Sequence, residues 1–244
     1  PIMSLSSVFF RKLMRTANNH GIKVVLTGQG ADEAFCGYRK YPFKYGIEQI
    51  RNFNLIRGLS FITPFLINGS IMKNFKFAEA KKYLGFDNSD ILSRRLINNK
   101  IQFSDKIYRK AIREQQIKDI LETSVPALCH YEDRMGMAES IEVRSPFLDH
   151  KIIEMGINMK TNSKMFNGWT KYLLRKSFNN TLPQSIIWRK DKKGFSNPED
   201  LWMKEKLINF TKEIANSNNS MIYKYDLIDK KTYLKKLDAY YNGS

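Results

Sequence analysis

The chain has 244 residues, of which 42% are apolar and 13% aromatic, enough to bury a real core. Its longest apolar stretch, Leu55 to Ile67, is interrupted by Arg57, Gly58, Ser60 and Pro64. Nothing therefore reaches the roughly eighteen apolar residues of a membrane-spanning helix. Two cysteines, Cys36 and Cys129, exclude a disulfide framework, and no Cys or His pair has zinc spacing.

The first residues lack the basic region and apolar core of a secretory leader. A reduced, cytoplasmic protein is the simplest expectation. The chain begins at Pro1 rather than methionine, which reads as a piece of a longer product. A net charge of +17 favours anionic partners, a nucleotide among them. The lysines are spread rather than gathered on one face, so a solvated basic surface is expected rather than nucleic-acid binding.

In chain order, residues 4–19 carry Leu5, Val8, Phe9, Leu13 and Met14 at helical spacing, with Ser4 or Ser6 as caps. Gly21 ends that helix, and Ile22 to Leu26 reads as a short buried strand. Thr27-Gly28-Gln29-Gly30 is a glycine turn, and Ala31 to Phe35 begins a helix with two carboxylates, Asp32 and Glu33. Strand, tight turn and helix start bring backbone N–H groups and a helix dipole where an anion can bind. A carboxylate at Asp32 would suit Mg²⁺ beside phosphates. Only this one strand is evident. Since a parallel sheet cannot be one strand wide, its partners are expected before Pro1 or in another chain.

Beyond Tyr45 the expectation is helical. Ile47 to Leu66 reads as a mixed helix and turn, Asn68-Gly69-Ser70 as a loop, and 75–83 and 91–96 as short helices. Lys106 to Glu122 reads as a charged, exposed helix. Pro126 begins the next helix. Pro146 breaks the chain, and 149–158 resumes as a helix capped by Asp149. Gly168 to Phe178, Leu201 to Ala215 and Leu227 to Tyr241 complete the predicted helices, with a loop at 216–220.

Three ordered blocks carry a resemblance. Gly28-Gln29-Gly30-Ala31-Asp32-Glu33 through Gly37-Tyr38-Arg39-Lys40-Tyr41 resembles the G-x-G-A-D-E-x-F-G-G-Y block of glutamine-hydrolysing asparagine synthetases. Tyr131-Glu132-Asp133-Arg134, Met137-Ala138 and Ser140 to His150 resemble the second block of that family. Lys171-Tyr172-Leu173-Leu174-Arg175-Lys176, Leu182-Pro183 and Trp188 to Phe195 resemble its third.

The resemblance implies an α/β, adenine-nucleotide alpha-hydrolase-like (Rossmann-like) fragment followed by a mainly helical region. It implies one partial synthetase domain over 1–244. Residues 1–45 would form the strand–loop–helix part of the nucleotide site. Residues 46–244 would be mostly helical and carry the site segments 131–150 and 188–195. The implied reaction adenylates the aspartate side chain with ATP and Mg²⁺, and ammonia from an upstream glutaminase domain then displaces AMP. A homodimer is implied as well.

By the same resemblance Thr27, Gly28 and Gly30 lie against nucleotide, Asp32 is the Mg²⁺ carboxylate, and Glu33, which follows it in the motif, is a catalytic residue. Gln29 faces the reacting centre. An amide there cannot act as a base near neutral pH, so it reads as a hydrogen-bonding positioner. Glu142 and Arg144 sit in a turn before Pro146. There they either contact substrate or form a buried ion pair, and Arg144 can do both. Lys192 matches the lysine that neutralises phosphate charge, with Lys193 as the alternative; a mobile lysine before Gly194 suits a clamp.

Two departures stand out. Cys36 replaces the first glycine of the usual G-G-Y, and no S-G-G-x-D-S pyrophosphate loop occurs in the sequence. That loop and the glutaminase domain would belong upstream of Pro1, so this chain alone is expected to be inactive. The competing readings are amidation of another carboxylate, a non-catalytic nucleotide-binding fragment, and an RNA-binding module.

Overall fold

The computed structural model describes residues 5–67, 93, 111–190 and 198–242. The chain divides into two compact units, one formed by Pro1–Phe77 with Ile107–Phe195, the other by Ala78–Lys106 with Ser196–Ser244. The described residues are mostly helical, with few and short strands.

The first unit opens with α1 (Leu5–Asn19), which ends at Gly21 in the left-handed region, and β1 (Val24–Leu26). The short helix α2 (Ala31–Ala34) follows the glycine turn. Two packed helices come next, α3 (Lys40–Arg51) and α4 (Leu55–Ile67), so the expected mixed segment is a helical hairpin with its break at 52–54. Then come α5 (Ile112–Leu121), α6 (Ser124–Met137) and β2 (Glu142–Arg144).

β1 and β2 pair in parallel, Val24 opposite Glu142, Val25 opposite Val143 and Leu26 opposite Arg144. This corrects the expectation that the partner strand must lie before Pro1 or in another chain. It also corrects the reading of 142–144 as a turn. β1 is shorter than the buried strand expected over 22–26, and Ile22, Val24 and Leu26 are exposed; Val25 and Val143 alternate with more exposed neighbours, as strands with one covered face do.

Pro146 starts a 3₁₀ turn (Pro146–Leu148), and Asp149 caps α7 (His150–Asn158), its side chain accepting from the Lys151 N–H at 2.9 Å. After α8 (Thr161–Lys164), strands β3 (Met165–Phe166) and β4 (Trp169–Thr170) form an antiparallel hairpin around Asn167-Gly168. Both turn residues have positive φ, 45° and 80°, which is the geometry that Asn-Gly favours. The helix expected from Gly168 therefore begins only at α9 (Tyr172–Ser177). The short α10 (Gln184–Ile187) follows.

The core gathers Cys36, Tyr41, Phe65, Ile112 and Met165, with Tyr38, Phe43, Tyr45 and Phe61 around it. The helix expected to be exposed, α5, is instead an inner element. Gln115, Gln116, Asp119 and Ile120 are all buried, and the polar ones find partners across the core. Tyr41 donates to Asp119 at 2.7 Å, and Lys40 pairs with the same carboxylate at 2.7 Å. Gln116 donates to the carbonyls of Glu33 and Ala34 at 2.7 and 2.8 Å, and receives the buried Lys164 ammonium at 2.7 Å. The last carbonyls of α2 are thus satisfied from α5.

In the second unit, the helix expected over Leu201 to Ala215 is two, α11 (Glu199–Glu205) and α12 (Ile208–Asn216). α13 (Met221–Lys224) and α14 (Lys230–Asn242) follow. Tyr223 donates to the Ala215 carbonyl at 2.6 Å, and Lys204 lies 4.9 Å from the ring centre of Tyr240. Among the described residues no helix is long and apolar enough to cross a membrane. The loop expected at 68–70 and the helices expected at 75–83 and 91–96 lie outside the described residues.

Candidate active site

The carboxyl ends of the two parallel strands bring the first two sequence blocks together. Thr27 leaves β1 and donates its N–H to the Arg144 carbonyl at 2.8 Å, extending the strand pairing by one residue. Its hydroxyl donates to Glu132 Oε2 at 3.1 Å and lies 2.9 Å from the Ser145 hydroxyl. Gln29 donates its side-chain amide to Glu132 Oε1 at 2.7 Å. One carboxylate on α6 therefore holds the glycine turn at two points, Thr27 and Gln29. Beside it a cavity of about 510 Å³ is lined by Leu26, Cys129, Glu132, Asp133, Arg144 and Ser145, among others.

The turn itself depends on its glycines. Gly30 has φ 89°, in the left-handed region, and an added Cβ would fall 2.3 Å from Leu148 Cδ2. A Cβ at Gly28 would meet nothing within 4 Å, so the turn is open on that side. The helix that follows has only four residues, so the dipole expected from the sequence is a short one.

Asp32 and Glu33 are neighbours in sequence with opposite surroundings. Asp32 Oδ1 lies 3.2 Å from Lys171 Nζ, and both side chains are 26% exposed. The two side chains cross over Gly37, where a Cβ would fall 2.0 Å from Asp32 Oδ1 and 2.2 Å from Lys171 Cε. Arg175, one turn along α9, is fixed by bonds to the carbonyls of Thr170 and Ile187 and sits over the Trp169 ring. Burial lowers its pKa, and the nearby Asp32 carboxylate opposes that shift.

Glu33 is fully buried and accepts from the Tyr38 hydroxyl at 2.7 Å. Its Oε2 has no hydrogen-bond partner among the described residues. Burial raises its pKa against the opposing effect of Tyr38, and burial also pushes the Cys36 thiol up to about 12. Cys36 itself has φ 54° and no exposed surface. The Cys36 side chain is therefore accommodated in the core on a left-handed backbone.

Arg144 pairs with Glu142 through two bonds, Nε to Oε1 at 2.8 Å and Nη2 to Oε2 at 3.2 Å. The pair is exposed, 60% and 56%, so the expected buried ion pair is a surface one. Residues two apart on a strand share a face, which is why the pair forms here. Arg144 thereby holds the Glu142 carboxyl below its usual range.

Among the described residues no group of three or more His, Cys, Asp and Glu is gathered to cage a metal. Asp32 offers a single carboxylate that already attracts a cation. Mg²⁺ in nucleotide sites takes one or two carboxylates and completes its shell with phosphate oxygens and water. Asp32 fits that requirement, and a free-standing metal centre does not. Lys192 and Lys193 lie outside the described residues.

The structure thus brings Thr27, Gln29 and Gly30 together with Arg144's strand end, and places Asp32 at the next turn. It adds three residues to which the sequence reading gave no role, Glu132, Ser145 and Lys171. Each stands inside a quoted block, but their partners lie 105, 118 and about 140 residues away in sequence, beyond the reach of local pattern.

The asparagine synthase family model matches residues 1–243. Asparagine synthetase [glutamine-hydrolyzing] 1 of Bacillus subtilis (strain 168) is 28% identical over 245 residues, covering 91% of this chain and 38% of that protein. A putative asparagine synthetase [glutamine-hydrolyzing] of Mycobacterium tuberculosis is 27% identical over 82% of this chain and 33% of its own length. The asparagine synthetase [glutamine-hydrolyzing] of Gallus gallus is 42% identical over 67 residues, 26% of this chain. The chain spans about a third of the length of the Bacillus subtilis and Mycobacterium tuberculosis relatives, 38% and 33%. With the family model matched along nearly its whole length, the chain belongs to the asparagine synthase family.

Proposed function

We propose that this chain is the C-terminal portion of the synthetase domain of an ATP-dependent, glutamine-dependent asparagine synthase. The observation that carries the reading is the crevice outside the carboxyl ends of β1 and β2. There Thr27, Gln29, Glu132 and Ser145 converge from two sequence blocks, and Asp32 follows the turn two residues after Gly30. Parallel α/β sheets bind ligands at that end, which supports a Rossmann-like nucleotide site. β1 has no second neighbour among the described residues, and Val24 and Leu26 are exposed. Both facts support a sheet continued by the portion of the relatives' length that the chain does not span.

In this reading the open turn at Thr27, Gly28 and Gly30 lies against ATP, and Asp32 holds Mg²⁺. The ion would shield the phosphates during adenylation of the aspartate carboxylate. Gln29, held by Glu132, orients the reacting groups through its amide rather than moving a proton. Arg144, which lines the cavity and is paired with Glu142, would offer its guanidinium to a carboxylate. Lys192, or Lys193 in its place, neutralises phosphate charge as pyrophosphate departs. Glu33, buried and bonded to Tyr38, is a positioning carboxyl under the site and does not touch substrate. Ammonia arrives from a glutaminase domain of the parent, which works in the cytoplasm as a homodimer.

The test is aspartate-dependent pyrophosphate release from ATP by the full-length parent, with asparagine as product. Asp32→Asn and Lys192→Ala are expected to suppress it. Release with a different carboxylate but not with aspartate would reassign the acceptor. No release with any carboxylate would leave a non-catalytic nucleotide-binding role.

A further inference from the structure

We infer that Lys171 is the resident counter-cation of Asp32, which must be exchanged for the metal ion as the site is loaded. The inference rests on the reading of Asp32 as the metal carboxylate and adds the residue that guards it. Lys171 Nζ lies 3.2 Å from Asp32 Oδ1, on a pair of side chains that are each only 26% exposed. Mg²⁺ binds a carboxylate oxygen at about 2.0–2.1 Å with its own water shell. An ammonium at hydrogen-bond distance from that oxygen occupies the space the shell requires, and like charges at such separations repel. Metal and Lys171 therefore compete for Asp32.

The pairing is built into the backbone. Lys171 has φ 53° and ψ 33°, a left-handed conformation that a non-glycine residue keeps only when its surroundings impose it. It starts α9, and its side chain runs to Asp32 across Gly37, where any Cβ would collide with both partners. Arg175 on the same helix cannot make the exchange. Its guanidinium is bound to the carbonyls of Thr170 and Ile187 and stays in place. The site thus has a fixed cation and a displaceable one. Lys171 is a flexible ammonium that, once released, remains beside the phosphates accompanying the metal. The consequence is an order of loading. Asp32 resists a bare divalent ion and accepts one that arrives with a nucleotide, whose phosphates take up the released ammonium.

Binding of Mn²⁺ alone, followed by the resonance of the free ion and by calorimetry, tests this on the protein and on Lys171→Met, Lys171→Gly and Asp32→Asn. Both Lys171 variants are expected to bind Mn²⁺ about fivefold more tightly than the parent, the scale of a partly shielded ion pair. They are also expected to bind the Mn²⁺–ATP complex no more tightly, and Asp32→Asn is expected to remove Mn²⁺ binding. Lys171→Gly suits a left-handed backbone, so it preserves the comparison if methionine disturbs the start of α9. Unchanged or weaker Mn²⁺ binding in both variants, with binding still lost in Asp32→Asn, overturns the exchange alone. If Asp32→Asn changes the binding of neither Mn²⁺ nor the Mn²⁺–ATP complex, the metal reading of Asp32 falls and the exchange falls with it.

Discussion

Gln29 and Glu132 are 103 positions apart in sequence, yet the Gln29 amide donates to the Glu132 carboxylate at 2.7 Å. The other oxygen of that carboxylate takes the Thr27 hydroxyl, so Glu132 fixes the glycine turn at two points. Removing it releases the turn without emptying the core. Glu132→Ala is expected to lower kcat/KM of the full-length parent about a hundredfold, the scale of a lost positioning contact in an active site. Thermal stability should stay close to wild type. Glu132→Gln, which keeps one acceptor oxygen, should recover part of the loss. Steady-state kinetics beside a thermal melt checks both, and a variant of normal activity would remove Glu132 from the site.

Gln116 is the strut beneath α2. Its amide donates to the carbonyls of Glu33 and Ala34 and accepts from Lys164, whose ammonium also reaches the Gly156 carbonyl at 2.9 Å. Gln116→Leu keeps the volume and strands two carbonyls and an ammonium proton. The expected destabilisation is about 3 kcal/mol, since each buried group left unpaired costs about 1–3 kcal/mol. Chemical denaturation measures it directly.

Cys36 holds a left-handed backbone in the fully buried core. Cys36→Gly relieves the conformational cost but vacates the space of the thiol. The two effects are each on the order of 1 kcal/mol, so the net change is expected to be within about 1 kcal/mol. Cys36→Val is expected to cost about 3 kcal/mol or more, because a β-branched residue is poorly tolerated at positive φ and the core has no room for it. Equilibrium unfolding of the pair separates backbone strain from packing.

Glu139 gathers two arginines from α1. Arg11 Nε lies 2.6 Å from its Oε1, and Arg15 reaches both oxygens at 3.0 and 3.1 Å. Those bonds hold its carboxyl near pKa about 2, below the ordinary 4.5. A carboxyl depressed by folding contributes stability that is fully present above the unfolded pKa and is lost as pH falls through the folded one. The contribution is therefore complete above pH 4.5 and fades toward pH 2. Glu139→Gln is expected to lower Tm at neutral pH and to flatten the acid limb between those values. Melting curves across the range check the sign.

What the sequence determined by itself was local. Helix α1, the strand and glycine turn from Val24 to Gly30, the cap at Asp149 and the odd cysteine at 36 all rest on neighbours within a few positions. Spacing and turn chemistry act at that range. The Asn167-Gly168 hairpin was within the same reach, and its dipeptide was the available signal. Tertiary structure alone decided the rest. A three-residue strand such as Glu142–Arg144 is too short to show a period, and it became a strand because Val24–Leu26 offered it an edge. Gln115, Gln116 and Asp119 look like solvated positions, but they are buried because Tyr41, Lys40, Lys164 and the end of α2 supply their hydrogen bonds. Lys171 found Asp32, and Glu132 found Gln29, only when the chain closed on itself. A polar side chain's role is set by the partner that meets it, and over a hundred residues that partner is chosen by packing rather than by sequence spacing.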